Sequence, residues 1–568
     1  MKDASPTTRT GAQIMARALQ RHGVTQVFGQ SIPSALFLAA PDYGITQIGY
    51  RTENAGAAMA DAYARLSGRV AVVTAQNGPA ATLLVPGLAE ALKASIPIVA
   101  IVQDVHRQNT DRNAFQELDH LALFQGVAKW VRRVSEISRL DDYIDMAFVA
   151  AATGRAGPAV LMVPVDLFDE ETTPDPASRE GFGQYPLDPT APDPARLAEA
   201  AALLAGAQRP LIIAGGGVHS AGAHAALAQL QDLGFAVATT VMGKGAVDET
   251  HPLSLGVVGY FMGPGARAAA LAPMVADSDV ILLAGTRTNQ NGTDSWSLYP
   301  RDARYIQLDI DGTEVGRNYP ALRLVGDARL GLQGLVTALA GQDLTARQTA
   351  RAATESRIRD ALGSASRTQA GSDATPLRPE RVVAEIDRLI TPDTIVVADA
   401  SYSSIWVADG ITIRKPGQRV LTPRGLAGLG WGLPYAIGAK AARPDAPVIC
   451  LTGDGGFAHV WAELETARRM ALPVVVVVLN NQILGYQKHA ELSLFGSHTD
   501  VVHFDPVDHA AIARACGATG VRIDHPDQLA PALRDALASG TVSVIDVVTD
   551  ERAYPPVTSF TGKQALNY

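Results

Sequence analysis

Along the chain, short unbroken runs of Val, Ile, Leu and Ala alternate with longer stretches of mixed polarity. The runs fall at 70–74, 96–102, 159–165, 210–214, 280–284, 394–398, 448–452, 473–479 and 542–548. A strand covered on both faces has no reason to alternate apolar with polar, and the separators are long enough to hold crossover helices. The pattern predicts parallel α/β sheets.

Two stretches interrupt it. Residues 172–194 carry Pro174, Pro176, Pro186, Pro189, Pro192 and Pro194 with Gly181 and Gly183 among them, a composition that holds neither a helix nor a central strand. Residues 342–379 are polar and rich in Arg, Ser and Ala, and read as a partly helical connection. The expected organisation is α/β, with three doubly wound parallel-sheet domains at 1–172, 191–345 and 379–568. The first and third share a weak likeness of layout, with glycine-bearing turns after their strands.

The densest chemistry lies at 448–485, VICLTGDGGFAHVWAELETARRMALPVVVVVLNNQILG. It parses as strand, turn, helix, strand, turn. Gly453-Asp454-Gly455-Gly456 reads as a tight turn that only a glycine backbone takes without strain. Phe457, Val460, Trp461 and Leu464 follow at the spacing of one helix face. A helix opening at such a turn offers unpaired N–H groups to an anion. The next strand ends in Asn480-Asn481, so Asp454 and Asn481 are expected on one sheet edge, where ligands bind in open α/β sheets. A carboxylate, an amide oxygen and a backbone carbonyl are hard ligands that suit Mg²⁺ together with phosphate oxygens. Each element alone is commonly only a turn or a cap.

Composition narrows the function. The 568 residues carry a net charge of −9 without a long basic run, which disfavours nucleic acid as a partner. No apolar window reaches the length of a membrane span and no secretory signal opens the chain, so a soluble protein is expected. Two cysteines, Cys450 and Cys516, fit a reducing compartment, and the expected location is cytoplasmic.

Taken in order, strand, GDGG, helix, all-Val strand and NN resemble the diphosphate-binding motif of thiamine-diphosphate (ThDP) enzymes. A second segment, YRTENAGAAMADAYARL at 50–66, is similar to the stretch of that family whose glutamate contacts the coenzyme's aminopyrimidine ring. The likeness to the acetolactate-synthase-like group, which comprises 2-oxo acid decarboxylases and carboligases, covers nearly the whole chain. It implies pyrimidine-binding, middle and diphosphate-binding domains in that order. It also implies Glu53 as the catalytic carboxyl and Asp454, Asn481 and the main-chain oxygen of Ile483 as Mg²⁺ ligands. Coenzyme contacts are implied at Pro79, Ser401, Tyr402, Ser403, Gly428, Leu429, Gly453, Gly455 and Gly456. Homodimers or homotetramers follow, because the family completes its site between subunits. For substrate the likeness points to Ser31, Gln116 and Tyr486.

The resemblance also shows departures. Ala490 stands where acetolactate synthase carries a tryptophan of the acceptor pocket, and Asn291 where a carboxylate-binding arginine is expected, although Arg287 remains. Losing a bidentate guanidinium removes a strong specificity element. Non-oxidative 2-oxo acid decarboxylation or 2-hydroxyacyl-CoA lysis therefore stand as alternatives to carboligation, and a non-catalytic ThDP-binding subunit ranks below them. Gly215, Gly216 and Gly217 suit FAD or ADP in the middle domain or serve equally as a structural turn. No acidic residue is evident there for a ribose, which disfavours a nucleotide-dependent oxidoreductase.

Overall fold

The computed structural model describes residues 8–173, 179–364 and 368–558. Three six-stranded sheets are present, and every strand pair within them is parallel. The continuous apolar runs are their central strands. Ala71–Ala75, Ile98–Asp104 and Ala159–Pro164 lie in the first sheet, Pro210–Ala214 and Val280–Ala284 in the second, and Ile395–Ala398, Val448–Gly453, Val475–Asn480 and Ser543–Val548 in the third. Helices cover both faces, as expected.

Strand order separates the domains. Counting strands along each domain, the first and third sheets both run 2-1-3-4-6-5 across the sheet, so their likeness of layout is a likeness of topology. The middle sheet runs 3-2-1-4-5-6, the order of dinucleotide-binding folds, with its switch point between Pro210–Ala214 and Val280–Ala284. A two-stranded antiparallel ribbon joins Arg9–Thr10 to Glu171–Thr172 at the close of the first domain.

Of the proline-rich stretch, residues 174–178 lie outside the described residues; the remainder is irregular up to the helix Pro194–Ala205. The second connection contains the helix Thr345–Ser364. No helix among the described residues is long and apolar enough to cross a membrane.

The first and third domains pack directly. The helix Glu53–Ser67 is buried nearly all round, with alanines at 55, 57, 58, 60, 62 and 64, and it packs against the Ala/Gly-rich helix Gly432–Ala442 on one side and, at Ala57, against Gly87 of the helix Pro79–Ala94. A Cβ on Gly438 would stand 2.1 Å from the carbonyl oxygen of Met59, so the close crossing needs glycine there. One apolar core spans both domains.

Candidate functional site

Val448–Gly453 and Val475–Asn480 are parallel neighbours with Gly453 opposite Leu479, so their C-terminal ends release Asp454 and Asn481 side by side. Asp454 is buried. Its Oδ1 accepts the N–H of Gly455 at 2.8 Å and its Oδ2 that of Gln482 at 2.6 Å. The Asn481 Oδ1 accepts the N–H of Ile483 at 3.3 Å, which folds 481–483 into a compact turn. Burial pushes the Asp454 carboxyl up to about 6 against those amide bonds. A buried carboxylate without a cation is costly, and a divalent ion beside it would remove that cost. Among the described residues no cluster of three or more His, Cys, Asp or Glu could hold a metal. The turn itself brings one carboxylate, Asp454, beside the side-chain amide of Asn481.

The glycines of the turn act differently from the sequence expectation. None of 453, 455 and 456 has a positive φ. Close approach is their reason: a Cβ on Gly456 would fall 2.2 Å from Asp399 Oδ2, and one on Gly455 would press Phe504 at 3.1 Å. Gly453 has nothing within 4 Å of its Cβ position, leaving an open cradle at the strand end. The expected helix is also broken, into Asp454–Ala458 and Glu463–Arg469, by tight turns such as Val460 N–H to Phe457 O. Phe457, Val460 and Leu464 still reach the core.

Asp399, which sequence reasoning missed, knits three loops together. It ends the run of Ile395–Ala398 and is buried, and its carboxylate accepts N–H bonds from Ala400, Gly430 and Trp431 and the hydroxyl of Thr452. The loops bearing Ser401, Gly428–Leu429 and Asp454 thereby become one unit. The available signal was an acidic residue closing an apolar strand, which alone is weak.

Ser401 has φ +62, a strained value for a residue with a side chain. Gln116, Ala427 and Gln482 share that region, and each sits in a loop singled out by the sequence. Strain of this kind gathers where a ligand fixes the backbone. The hydroxyl of Tyr402 is bonded to His489 Nδ1. His489 stacks on Tyr554 at 3.6 Å, and burial holds its imidazole down near 4, hence neutral at pH 7. Ser403 is buried; Tyr486 packs edge-on against Tyr402.

The first domain supplies a second cluster at the C-terminal edge of its own sheet. Glu53 opens its helix after the capping residue Thr52, is 7% exposed, and has no side-chain hydrogen bond or ion pair to another residue among the described residues beyond its own backbone N–H. Burial raises its pKa. The loop before it is fixed by Glu463 of the third domain, whose carboxylate accepts N–H bonds from Arg51 and Thr52 at 3.0 and 3.1 Å. Pro79 starts the helix Pro79–Ala94 behind Gly78, whose φ of +65 requires glycine and whose N–H donates to His120. Asn77 donates to the carbonyls of Phe115 and Gln116, and Gln76 to the Gln116 side chain. Ser31 lies in the neighbouring loop, tied by Thr74 to the carbonyl of Ile32. No hydrogen bond within the described chain joins Glu53 to the Asp454 turn.

A cavity of about 490 Å³ opens where the three domains meet. Gly216, Gly217 and Gly285 at the middle sheet's switch point line it, together with Arg65, Arg287 and Arg419. The Nε atoms of Arg419 and Arg424 are buried there without partners. Asp309, at the end of Arg304–Asp309, lines the same cavity, an acidic residue that the sequence did not single out for this space. Asn291 and Tyr486 also border it.

Sequence comparison agrees with this layout. The N-terminal TPP binding domain of thiamine pyrophosphate enzymes matches residues 9–123, their central domain 197–335 and their C-terminal TPP binding domain 399–547. A probable acetolactate synthase large subunit of Methanocaldococcus jannaschii is 33% identical over 95% of this chain and 92% of its own length. The acetolactate synthase isozyme 3 large subunit of Escherichia coli is 31% identical over 96% of each chain. A putative thiamine pyrophosphate-containing protein of Bacillus subtilis is 31% identical over 95% of this chain and 92% of its own. With three matching domains in the family's order and relatives aligned over almost their whole length, the chain belongs to the thiamine pyrophosphate enzymes.

Proposed function

We propose that this chain is a ThDP- and Mg²⁺-dependent enzyme of the acetolactate-synthase-like kind. It cleaves a C–C bond next to the carbonyl of a 2-oxo acid or related substrate and passes the activated aldehyde or acyl unit to an acceptor. The observation that carries the reading is the Asp454–Gln482 bond, which ties the buried carboxylate to the turn bearing Asn481 and Ile483, beside the open space at Gly453. Asp454, Asn481 and Ile483 would hold Mg²⁺. Gly453, Gly455, Gly456 and the main chain of Ser401, Tyr402 and Ser403 would take the diphosphate. Gly428, Leu429 and Pro79 would contact the rest of the coenzyme, with working domain limits of 1–172, 191–345 and 379–568.

When bound, ThDP supplies a nucleophilic carbon and an electron sink for the substrate carbonyl. The buried Glu53 carboxyl, raised in pKa and bonded to no other residue of the described chain, would hold a proton at a ring nitrogen of the coenzyme. A scaffold that only bound coenzyme would have no use for such a group, which argues against a non-catalytic subunit. Ser31, Gln116 and Tyr486 are the proposed substrate contacts.

Glu53 and the Asp454 turn are proposed to complete each other between two copies, in a homodimer or homotetramer. In support, Phe115 beside Gln116 is 84% exposed, an apolar surface suited to cover by another chain. The archaeal and E. coli relatives are named large subunits, which supports assembly into an oligomer. The unpaired thiols Cys450 and Cys516 suit the cytoplasm.

The buried Ala490 and the cavity-lining Asn291 favour a second reading, non-oxidative decarboxylation or 2-hydroxyacyl-CoA lysis, because neither offers the acceptor a bulky wall or a guanidinium. The arginine-lined cavity suits the diphosphate of FAD, ADP or a CoA ester. Mass spectrometry of products from 2-oxo acids and 2-hydroxyacyl-CoAs, with and without ThDP and Mg²⁺, tests the reading. A new C–C bond supports carboligation, a released aldehyde the alternative, and turnover after complete ThDP removal overturns both.

A further inference from the structure

The loop 425–431 is held at both ends by buried carboxylates from different domains. Glu90, on the first-domain helix Pro79–Ala94, is fully buried and accepts N–H bonds from Gly425 at 2.6 Å, Leu426 at 2.5 Å and Ala427 at 3.2 Å. Asp399, within the third domain, accepts those of Gly430 and Trp431, both at 3.1 Å. Gly428 and Leu429 lie between the two grips and remain partly exposed. Ala427 has φ +61 and Gly430 φ +84, so the tip follows a path that alanine at 427 does not favour by itself.

The arrangement is specific to a carboxylate. A Cβ on Gly425 would stand 2.4 Å from the Glu90 carbonyl and 2.9 Å from its Oε1, so the loop runs flush against this one side chain. Arg65 approaches Glu90 at 4.0 Å and is paired with Asp61 in turn, supplying the positive charge that a buried carboxylate needs. An apolar residue could fill the same space but would leave the three amides of 425–427 without an acceptor.

We infer that Glu90 is a positioning residue: with Asp399 it clamps the loop so that Leu429 is presented to the coenzyme only when the first and third domains are docked. The coenzyme end of this inference rests on the reading of Leu429 proposed above. Glu90 acts through the backbone of 425–427 and does not touch the coenzyme.

Hydrogen exchange of coenzyme-free full-length protein tests the clamp independently of activity. In Glu90→Gln, amides of 425–430 are expected to exchange about tenfold faster or more, while the helix Gly432–Ala442 keeps its protection. Calorimetric ThDP affinity should weaken about tenfold. The kcat should fall by about 10- to 100-fold with the substrate KM within about threefold, the pattern of a misplaced site. Glu90→Asp, which retains the charge, should recover part of each change, and it serves alone if the glutamine variant does not fold. Leu429→Ala should reproduce the kcat loss without the faster exchange.

Unchanged exchange at 425–430 together with unchanged ThDP affinity in Glu90→Gln, or in Glu90→Asp if only that variant folds, would overturn the clamp. A wild-type protein that bound no ThDP would instead overturn the coenzyme reading, and the exchange result would still decide whether Glu90 holds the loop.

Discussion

Asp454 accepts the backbone N–H of Gln482 at 2.6 Å, a bond between two strand ends 28 residues apart in sequence. It fixes the position of the carboxylate. It does not satisfy the charge, which burial leaves with a pKa near 6.

A pH-dependent cation effect follows. The folded carboxyl holds its proton more tightly than the unfolded one, so its cost is absent below the unfolded value of 3.8 and grows as pH rises through about 6. At about 1.4 kcal/mol per pKa unit, this comes to about 3 kcal/mol at neutral pH. Mg²⁺ with ThDP should raise the calorimetric Tm by several degrees near pH 7.5 and by much less near pH 5. Asp454→Asn should abolish the difference between the two conditions.

The turn glycines should separate by role. Gly456→Ala drives a methyl into Asp399 and should cost about 1–3 kcal/mol in urea unfolding. Gly453→Ala meets nothing in the protein and sits in extended backbone, so stability should move by no more than about 0.5 kcal/mol. Its methyl occupies the proposed diphosphate cradle, and ThDP affinity should fall about tenfold or more.

Glu463 offers a test across the domain boundary. It is buried, and it accepts the amides of Arg51 and Thr52 and the hydroxyl of Thr466. Glu463→Gln should lower stability by about 1–3 kcal/mol. Because the loop it holds leads into Glu53, kcat should fall while ThDP affinity stays nearly constant.

What the sequence revealed follows from the range of each interaction. Val475–Asn480 is buried along its whole length, so its composition alone marks a central parallel strand. Thr46–Ile48 and Val420–Leu421 are two- or three-residue edge strands that carry almost no periodicity, and only their neighbours define them. Asp454 and Asn481 were legible because their motif is local. Asp399, Glu463 and Glu90 were not, since their partners lie 31, 412 and 335 residues away. The glycine turn was located correctly and explained wrongly, because what crowds Gly456 is the distant Asp399 and not its own φ.

Glu53→Gln alone should leave the fold intact and reduce turnover by about 100-fold or more, since it removes a proton-transfer group and no packing. Wild-type rates in that variant would exclude the role.

The most direct test mixes two inactive variants, Glu53→Gln and Asp454→Asn, by co-expression at equal amounts. If Glu53 of one copy serves the Asp454 turn of another, half of the dimers are mixed and each has one intact site, so about one quarter of wild-type activity should return. Mixtures that form hybrid oligomers yet stay as inactive as either parent would contradict a site shared between subunits.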